Sequence, residues 1–497
     1  MLTHICDFVE KSVLKFGDNL AFKEAYNKQS ISYTEFKKAY ESLACEIIRQ
    51  IPTKPKQQSV LILLPKSIKC LVSLFAVARS GNFYTILDEK TPVERLKSIV
   101  KVLKPSLMIS SKSLNLKLNL PTIYADDFEN FSFDENLLSK LKHTDTNLLY
   151  VLFTSGSTGV PKGICVSHKS VIDYIINFCD ELKLKENENW LNQTPFYFDA
   201  SIRDVFASVK MGSTLHIMPN ALFAFPKKIL SYIEKEKITH FSSVPSVLSF
   251  YASEKNLAKF KLTSLKRVLF SGEIMPTKHF NILKKSLKNT SFFNLYGPTE
   301  ITGTCSFCEL KREFKDDEIL PIGRAYKNTE LLVFDENLKL LSLEQVGVKG
   351  ELFVRGSCLS VGYYKDKIKT KKAFVQNPLH NDFTDLLYKT GDIVAYNEFG
   401  ELVCYGRADN QIKYLGHRVE LGEIESVINS HPKVKKAACV FEKYIYCFYE
   451  SELELDIKEF LEQRVPAFMI PVKFTRFDKL KLNANGKIDR VYLRGQI

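Results

Sequence analysis

The sequence predicts a multilayer α/β protein of 497 residues with a small β-barrel portion and a smaller α+β domain at its C-terminus. Through the first two thirds of the chain, short aliphatic runs alternate with amphipathic segments, which is typical of α/β layers. From about residue 320 to residue 408, short β-like segments separated by glycines predict the barrel. A polar, turn-prone segment at 406–411 follows, so we place the domain boundary between residues 408 and 409. The predicted domains are therefore 1–408 and 409–497.

The N-terminal elements follow from hydrophobic periodicity and capping signals. Thr34 is expected to cap an amphipathic helix at 37–50. We predict buried strands at 60–64, 107–109 and 148–153, and a helix at 68–79 that ends at Gly81. Residues 111–147 are expected to form an irregular connection.

The same alternation continues through the middle third of the chain. Ser170 is expected to cap a helix that runs to about residue 182. Further strands are predicted at 214–218, 239–242 and 267–271, and further helices at 227–236 and 245–252. The predicted barrel strands lie at 331–334, 350–356 and 402–405.

Composition excludes several classes of protein. The first twenty residues include charged side chains and lack the apolar core of a signal peptide, and the apolar region at 59–78 is interrupted by Pro65, Lys66 and Lys69. The sequence therefore predicts a cytoplasmic protein that binds no membrane. The net charge of +13 comes from scattered lysines, so we expect no nucleic acid partner. Eleven dispersed cysteines, including Cys305 and Cys308, are expected to be reduced and mostly buried.

A run of hydroxyl-bearing residues and glycines, FTSGSTGVPKG at 153–163, follows a predicted strand. Glycines let main-chain N–H groups converge on an anion, the hydroxyls donate further hydrogen bonds, and Lys162 supplies a positive charge. The composition suits a polyphosphate, but the spacing is not that of a P-loop, and such clusters also form exposed turns. Residues 164–166 are typical of a strand, so this loop is expected to join two strands.

Seven further motifs accompany this loop along nearly the whole chain. They are FDAS (198–201), NLYGPTE (294–300), GEL (350–352), YKTGD (388–392), GRAD (406–409), VELGEIE (419–425) and NGKIDR (485–490). With these motifs the chain resembles the adenylate-forming enzymes. It is most similar to the stand-alone amino-acid adenylation enzymes of nonribosomal peptide synthesis and to D-alanine:carrier-protein ligases. The resemblance implies that a carboxylate attacks the α-phosphate of ATP and expels pyrophosphate.

The resemblance also implies which residues bind ATP and Mg²⁺. Lys162 and Glu300 would act in catalysis, with Glu300 as the magnesium ligand, because magnesium prefers oxygen ligands and bridges phosphates. Tyr296 would offer an aromatic face to adenine, and Asp392 would accept hydrogen bonds from both ribose hydroxyls. The predicted ATP-binding residues are Thr154, Ser155, Gly156, Ser157, Thr158, Gly159, Gly272, Asn294, Tyr296, Gly297, Thr299, Asp392 and Arg407.

Three positions near the C-terminus are implied to connect the two half-reactions. Lys487 would be the catalytic cation between the substrate carboxylate and the α-phosphate. Asp409 matches the hinge about which the mobile C-terminal domain rotates. After that rotation, Lys413 and Gly416 would line the path of the incoming thiol. Because the chain stops at Ile497, seven residues after Arg490, we expect the phosphopantetheine thiol to come from a separate, acidic carrier protein.

The substrate is expected to be an amino acid because Asp199 is present, and the resemblance assigns this aspartate to the α-ammonium group. A helix-capping role is the alternative. The implied side-chain pocket is Ala200, Arg203, Ser246, Leu269, Ser271, Leu295, Gly303 and Thr304. Arg203 favours an acidic or polar side chain if it faces the pocket. If it points outward, the small residues also fit alanine, serine or glycine.

Other interpretations of the sequence stay open. An acyl-CoA ligase for a small carboxylic acid would share the ATP motifs and differ at Asp199 and in the thiol acceptor. A non-catalytic nucleotide-binding protein would be expected to lack Lys487 or Glu300, and both are present. His168 and His417 lie near motifs, and we expect structural roles for them, because a carboxylate nucleophile needs no general base.

Overall fold

The computed structural model describes residues 2–51, 57–114, 118–154, 161–223, 225–253, 257–407, 411–481 and 488–497. The strands are, in chain order, β1 (Leu20–Glu24), β2 (Ser30–Ser32), β3 (Ser59–Leu63), β4 (Phe83–Leu87), β5 (Leu107–Ser110), β6 (Thr122–Tyr124), β7 (Leu148–Thr154), β8 (Lys162–Ser167), β9 (Asn189–Asn192), β10 (Thr214–Ile217), β11 (His240–Ser243), β12 (Arg267–Ser271), β13 (Ser291–Tyr296), β14 (Ser306–Glu309), β15 (Arg324–Ala325), β16 (Thr329–Phe334), β17 (Gly350–Gly356), β18 (Gly362–Tyr363), β19 (Phe374–Gln376), β20 (Leu386–Tyr396), β21 (Leu402–Arg407), β22 (Gln411–Tyr414), β23 (His417–Glu420), β24 (Lys436–Phe441), β25 (Ile445–Glu450) and β26 (Lys473–Phe477).

The α-helices lie mostly between these strands. They are α1 (Asp7–Phe16), α2 (Tyr33–Gln50), α3 (Ile68–Arg79), α4 (Val93–Leu103), α5 (Glu135–Ser139), α6 (His168–Glu181), α7 (Ala200–Lys210), α8 (Pro226–Lys235), α9 (Pro245–Ser253), α10 (Thr277–Ser286), α11 (Lys367–Ala373), α12 (Leu421–Asn429), α13 (Ile457–Glu462) and α14 (Arg490–Arg494). Among the residues described, no helix has the length and apolar character needed to cross a bilayer.

The chain forms two compact units. The larger comprises Met1–Glu89, Pro105–Leu152 and Ile164–Gly406, and the smaller comprises Lys90–Lys104, Phe153–Gly163 and Arg407–Ile497. A large α/β unit with a smaller, C-terminal α+β unit is the predicted fold class, which the structure confirms.

Two large sheets and a smaller one build the larger unit. Their strand orders are β15-β14-β13-β12-β11-β9-β10-β1-β2, β18-β8-β7-β4-β3-β5-β6 and β16-β17-β20-β19, with β21 beside β20 in the smallest. Neighbouring strands from β13 to β1 in the first sheet run parallel. The carboxyl ends of β9, β11, β12 and β13 therefore meet at one edge, which is where ligands bind in parallel sheets.

Both faces of the first sheet are buried, because successive residues of a strand point to opposite faces and pack in different apolar clusters. Leu269 packs in the same apolar cluster as Phe75 of α3 and Phe206 of α7. Its neighbours Val268 and Phe270 pack in a second cluster, with residues of α8, α9 and α10. Helices thus cover the sheet on both sides, as the continuous apolar strands predict.

The smaller unit contains the hairpin β22–β23 and a sheet of order β24-β25-β26. Leu415 and Gly416 connect β22 to β23 with φ angles of 52° and 80°, as a two-residue hairpin turn of type I′ requires. Ile424 of α12 packs on one face of the three-stranded sheet, and Leu493 of α14 on the other. Within the same unit, Arg95 Nη1 of α4 lies 2.6 Å from Glu423 Oε1.

Three local predictions were wrong. Helix α2 begins at Tyr33, and its N-cap is Ser32 rather than Thr34, because Ser32 and Glu35 form a reciprocal capping box. Helix α6 begins at His168 with Ser167 as its N-cap, and the Ser170 hydroxyl instead donates to the Leu359 carbonyl. The connection at 111–147 also contains regular structure, since β6 extends a sheet and α5 follows it.

Candidate active site

Strand ends place the motif residues of the larger unit. Ser271 ends β12 and Leu295 lies opposite it on β13, so Gly272 and the turn after Tyr296 leave the sheet at the same edge. Gly272 has a φ of +96°, and a Cβ built on it would meet no atom within 4 Å. The main chain at Gly272 is therefore not covered by neighbouring atoms, and its contact with a ligand stays a prediction.

Tyr296 and Asp392 are in direct contact. The Tyr296 hydroxyl donates a hydrogen bond of 2.5 Å to Asp392 Oδ2, and both side chains are buried. Burial, assisted by the Asp392 charge, raises the pKa of Tyr296 well above its ordinary value. The hydroxyl therefore stays protonated and orients the carboxylate that was predicted to bind ribose. The motif assigned no partner to Asp392, so this contact comes from the fold.

Glu300 lies in a single helical turn after β13 and has no exposed surface. Tyr363 of β18 donates its hydroxyl to Glu300 Oε1 at 2.7 Å, and Ser360 N–H donates to the Glu300 carbonyl. Tyr363 was missed by the sequence analysis, and no local pattern around it could have indicated this role.

Asp199 precedes α7 in the N-cap position, but in the described structure its side chain makes no capping hydrogen bond. The half-buried carboxylate instead accepts a hydrogen bond from Thr299. Burial raises the pKa of Asp199, reinforced by the Glu300 charge, while the hydrogen bonds from Thr299 and Ala200 N–H and the Arg203 charge oppose the rise. The capping alternative is thereby disfavoured.

Arg203 lies one turn beyond Asp199 on α7 and is 1% exposed, so the outward-facing alternative is excluded. Its Nε is 3.4 Å from Asp204 Oδ1.

Two further residues predicted to line the pocket, Gly303 and Thr304, lie in a buried turn after Glu300. Thr304 Oγ1 lies 2.8 Å from the Tyr174 hydroxyl, and a Cβ on Gly303 would approach the Tyr174 ring to 3.1 Å. Tyr174 of α6 is a second residue that the sequence analysis missed. Gly297 packs still more tightly, because a Cβ there would lie 2.6 Å from the Thr304 main chain.

The remaining predicted residues of the larger unit have defined surroundings. Leu269, Ser271 and Leu295 are buried on β12 and β13. Ser246 N–H of α9 donates to Glu273 Oε2 at 2.9 Å, which holds α9 beside the turn after β12. Asn294 donates its side-chain amide to the Pro321 carbonyl at 2.8 Å.

The remaining predicted site residues lie near the glycine-rich loop or in the smaller unit. Thr154 ends β7, Lys162 begins β8, Arg407 ends β21, and Lys413 and Gly416 lie in the β22–β23 hairpin. Strands therefore flank the glycine-rich loop on both sides, as predicted. Seven predicted site residues lie outside the described residues, namely Ser155, Gly156, Ser157, Thr158, Gly159, Asp409 and Lys487.

The two histidines near motifs have structural contacts. His168 Nδ1 accepts the Ile5 main-chain N–H, and the His417 ring stacks on Phe468 with centroids 3.4 Å apart. Burial lowers the pKa of each to about 3. Both imidazoles are therefore neutral near pH 7, and a neutral ring is suited to a structural role.

Comparisons with known protein families agree with this fold. Residues 9–364 match the AMP-binding enzyme family, and residues 423–487 match the AMP-binding enzyme C-terminal domain. The chain therefore belongs to the AMP-binding enzyme family. Within it, this is an adenylate-forming enzyme of the nonribosomal peptide synthetase adenylation type.

Individual proteins show how far the similarity extends. Zwittermicin A synthase ZmaJ of Bacillus cereus is 30% identical over 513 residues, which cover 99% of this chain and 95% of ZmaJ. Several other curated relatives are longer synthase chains, of which this chain spans 6% to 19%.

Two solved structures share the fold. The Vibrio cholerae adenylation domain AlmE, in complex with glycyl-adenosine-5'-phosphate, matches with a TM-score of 0.85 at 22% identity over 100% of this chain and 98% of AlmE. The o-succinylbenzoate CoA synthetase MenE from Bacillus subtilis matches with a TM-score of 0.84 at 19% identity over 98% of each chain.

Proposed function

We propose that the protein activates an amino acid with ATP, forming an aminoacyl-adenylate and releasing pyrophosphate, and then transfers the aminoacyl group to the phosphopantetheine thiol of a separate carrier protein. Asp199 is the observation that carries this proposal. Its carboxylate is half-buried and does not cap α7, and burial disfavours its charge. A substrate ammonium group would restore the ionised carboxylate, because an opposite charge stabilises a buried one.

The ATP side of the site rests on Tyr296, Asp392 and Glu300. The Tyr296 ring would pack on adenine, and Asp392, already oriented by Tyr296, would accept the ribose hydroxyls. Glu300 offers carboxylate oxygens, one of them positioned by Tyr363, and that donor set fits Mg²⁺. Bound magnesium would neutralise charge on the phosphates.

Adenylation forms one bond and breaks another. A substrate carboxylate oxygen bonds to the α-phosphorus while the bond to the β-phosphate oxygen breaks, and pyrophosphate carries away the electron pair. Lys162 and the loop at 154–159 would hold that leaving group, and Arg407 would contact ribose or phosphate. Lys487 would lie between the two reacting anions, where a cation offsets the charge that builds.

Transfer to the carrier is the second half of the proposal. Asp409 would be the hinge between the half-reactions, with Lys413 and Gly416 along the path of the thiol. The net charge of +13 would attract an acidic carrier. An acyl-CoA ligase is the alternative, supported by the structural likeness to the CoA synthetase MenE. Asp199 favours the amino acid, because a simple acid brings no cation to this carboxylate.

ATP–pyrophosphate exchange tests the first half-reaction. We expect exchange with an amino acid but not with the carboxylic acid that lacks its amino group. Asp199→Asn should reduce exchange with every amino acid at least about 100-fold, since it removes the charge partner of the ammonium. Asp180→Asn, an exposed aspartate on α6, is the matched control and should leave exchange unchanged. Equal exchange with the deaminated acid would favour the CoA ligase instead.

A further inference from the structure

One face of the first sheet carries polar side chains beneath α7. His240 lies opposite Trp190 across β11 and β9, and Ser242 lies opposite Asn192. Directly opposed residues of neighbouring strands share a face. Trp190 packs in the same cluster as Phe206 of α7, so this is the face that α7 covers.

Several polar atoms on this face lack a hydrogen-bond partner among the described residues. The unpaired atoms are Arg203 Nη1, Asn192 Oδ1, Ser242 Oγ and both ring nitrogens of His240. All four side chains are at least nine-tenths buried. Buried polar groups are normally hydrogen-bonded, so a concentration of unpaired ones indicates a site that is completed by another molecule.

The buried positive charges in this region also outnumber the negative ones. Asp204 is shared, because Oδ1 lies 3.4 Å from Arg203 Nε and Oδ2 accepts the Asn192 amide at 3.0 Å. The same carboxylate feels the charge of Lys66, whose Nζ donates to the carbonyls of Asn192, Gln193 and Met218. One carboxylate thus faces two basic side chains. A single weak contact leaves most of the Arg203 guanidinium available, and two parallel N–H groups are what a carboxylate binds best.

The position of Arg203 relative to Asp199 sets the length of the ligand. Residues four apart on a helix have Cβ atoms about 6 Å apart on one face. Arg203 is close enough to interact electrostatically with both Asp199 and the Tyr174 hydroxyl, and that hydroxyl lies 2.8 Å from Thr304 Oγ1. A substrate whose ammonium meets Asp199 would extend its side chain along α7 toward Arg203.

We propose that Arg203, supported by Ser242 and His240, forms the subsite for a side-chain carboxylate, and that the substrate is a dicarboxylic amino acid. The inference rests on the proposed function, because Asp199 must hold the ammonium. The α-carboxylate then reacts with ATP, while the second carboxylate pairs with Arg203 and is kept away from the α-phosphate.

The test compares acids with their amides. Exchange is measured for the wild-type protein with aspartate, glutamate and 2-aminoadipate, and with asparagine, glutamine, leucine and alanine. One of the acids should exceed its amide and the neutral amino acids by at least tenfold in kcat/KM. This ranking uses the unaltered chain, so it does not depend on whether a variant folds.

Substitution at Arg203 then locates the preference. Arg203→Met should lower kcat/KM for the preferred acid at least 100-fold and reduce the acid-to-amide ratio to near one. Arg203→Lys should keep a reduced preference for the acid. Arg324→Met, a matched loss of an exposed arginine, should change neither. Melting temperatures confirm that each variant is folded.

Two results would overturn the inference. A wild-type preference for a neutral amino acid, unaltered in Arg203→Met, would show that Arg203 does not bind the substrate side chain. That result would leave amino acid activation intact. Exchange with deaminated acids but with no amino acid would contradict the proposed function itself and remove the basis for this subsite.

Discussion

The buried polar groups of the proposed ATP site and of the proposed side-chain pocket differ in their hydrogen bonding. Tyr296 donates to Asp392, and Tyr363 donates to Glu300, so the two carboxylates are oriented before any ligand binds. On α7, by contrast, Arg203 has one weak contact with Asp204 and an unpaired Nη1 within the described structure. Preorganised groups suit a cosubstrate that is always ATP, whereas unpaired groups require the particular substrate to complete them.

The largest predicted effect concerns Glu300. Glu300→Gln removes the charge of the proposed magnesium ligand and keeps an oxygen that can accept the Tyr363 hydroxyl. We expect kcat for exchange to fall by about 10²–10³-fold, the usual loss when one electrostatic contact to the transition state is removed. Steady-state exchange kinetics measure it.

Tyr363→Phe is the matched control, because it removes the hydroxyl and leaves the carboxylate charged. Its loss should be about tenfold, because one hydrogen bond to a charged group contributes about 1.5 kcal/mol at the low end of its range. Activity of Glu300→Gln within threefold of wild type would show that orientation, rather than charge, is what this side chain supplies.

A second prediction concerns three histidines that stay neutral in the folded protein. The His4 ring packs at a tilt against His143 and His168, with ring centroids 4.4 and 4.2 Å apart, beside Arg79 and near Asp7. Burial lowers the pKa of all three, to about 4 for His143 and about 3 for His168. The unfolded chain protonates them near pH 6.5 and the folded chain does not.

Stability is therefore complete above about pH 6.5 and falls as the pH drops from there toward 4. The slope is up to about 1.4 kcal/mol per pH unit for each histidine. Urea unfolding at pH 7.5 and pH 5.5 measures it. His143→Gln should lower the number of protons taken up on unfolding by about one, and an unchanged pH slope would contradict the assignment.

Tyr296→Phe is expected to have a smaller effect. It keeps the aromatic face and removes the hydroxyl that orients Asp392. Because a hydrogen bond to a charged group contributes about 1.5 kcal/mol, KM for ATP should rise about tenfold. The value of kcat should stay within threefold of wild type. Exchange kinetics at varied ATP separate the two constants. If KM is unchanged, Asp392 is held by other contacts.

The smallest effect should come from the pocket pair. Arg203→Met removes one charge of a weak buried pair and leaves Asp204 with the Lys66 charge and the Asn192 amide, so no buried charge loses its last partner. The free energy of unfolding should stay within about 1 kcal/mol of wild type or increase. A loss above about 3 kcal/mol would mean that the pair holds α7 in place, which would weaken the contrast between the two regions.

Much of the fold could be predicted from local patterns. The strand at Arg267–Ser271 and the strand at Gly350–Gly356 were predicted with their observed bounds, because apolar runs and flanking glycines are local signals. Helix starts were predicted less well. At α2 and α6, nearby Ser or Thr residues compete for the N-cap, and short-range hydrogen bonds of Ser32 with Glu35 and of Ser167 with Ser170 N–H decide between them.

The family and the motif residues can be read from the amino-acid sequence, because those residues lie in contiguous stretches that can be recognised without coordinates. The contact partners of these residues depend instead on how distant segments of the chain pack together. Tyr363 and Tyr174 come from other elements of the fold, and no local pattern links them to Glu300 or Thr304. The direction of Arg203 was equally open in sequence. Burial settled it, because helical periodicity places a residue on a face but does not say what covers that face.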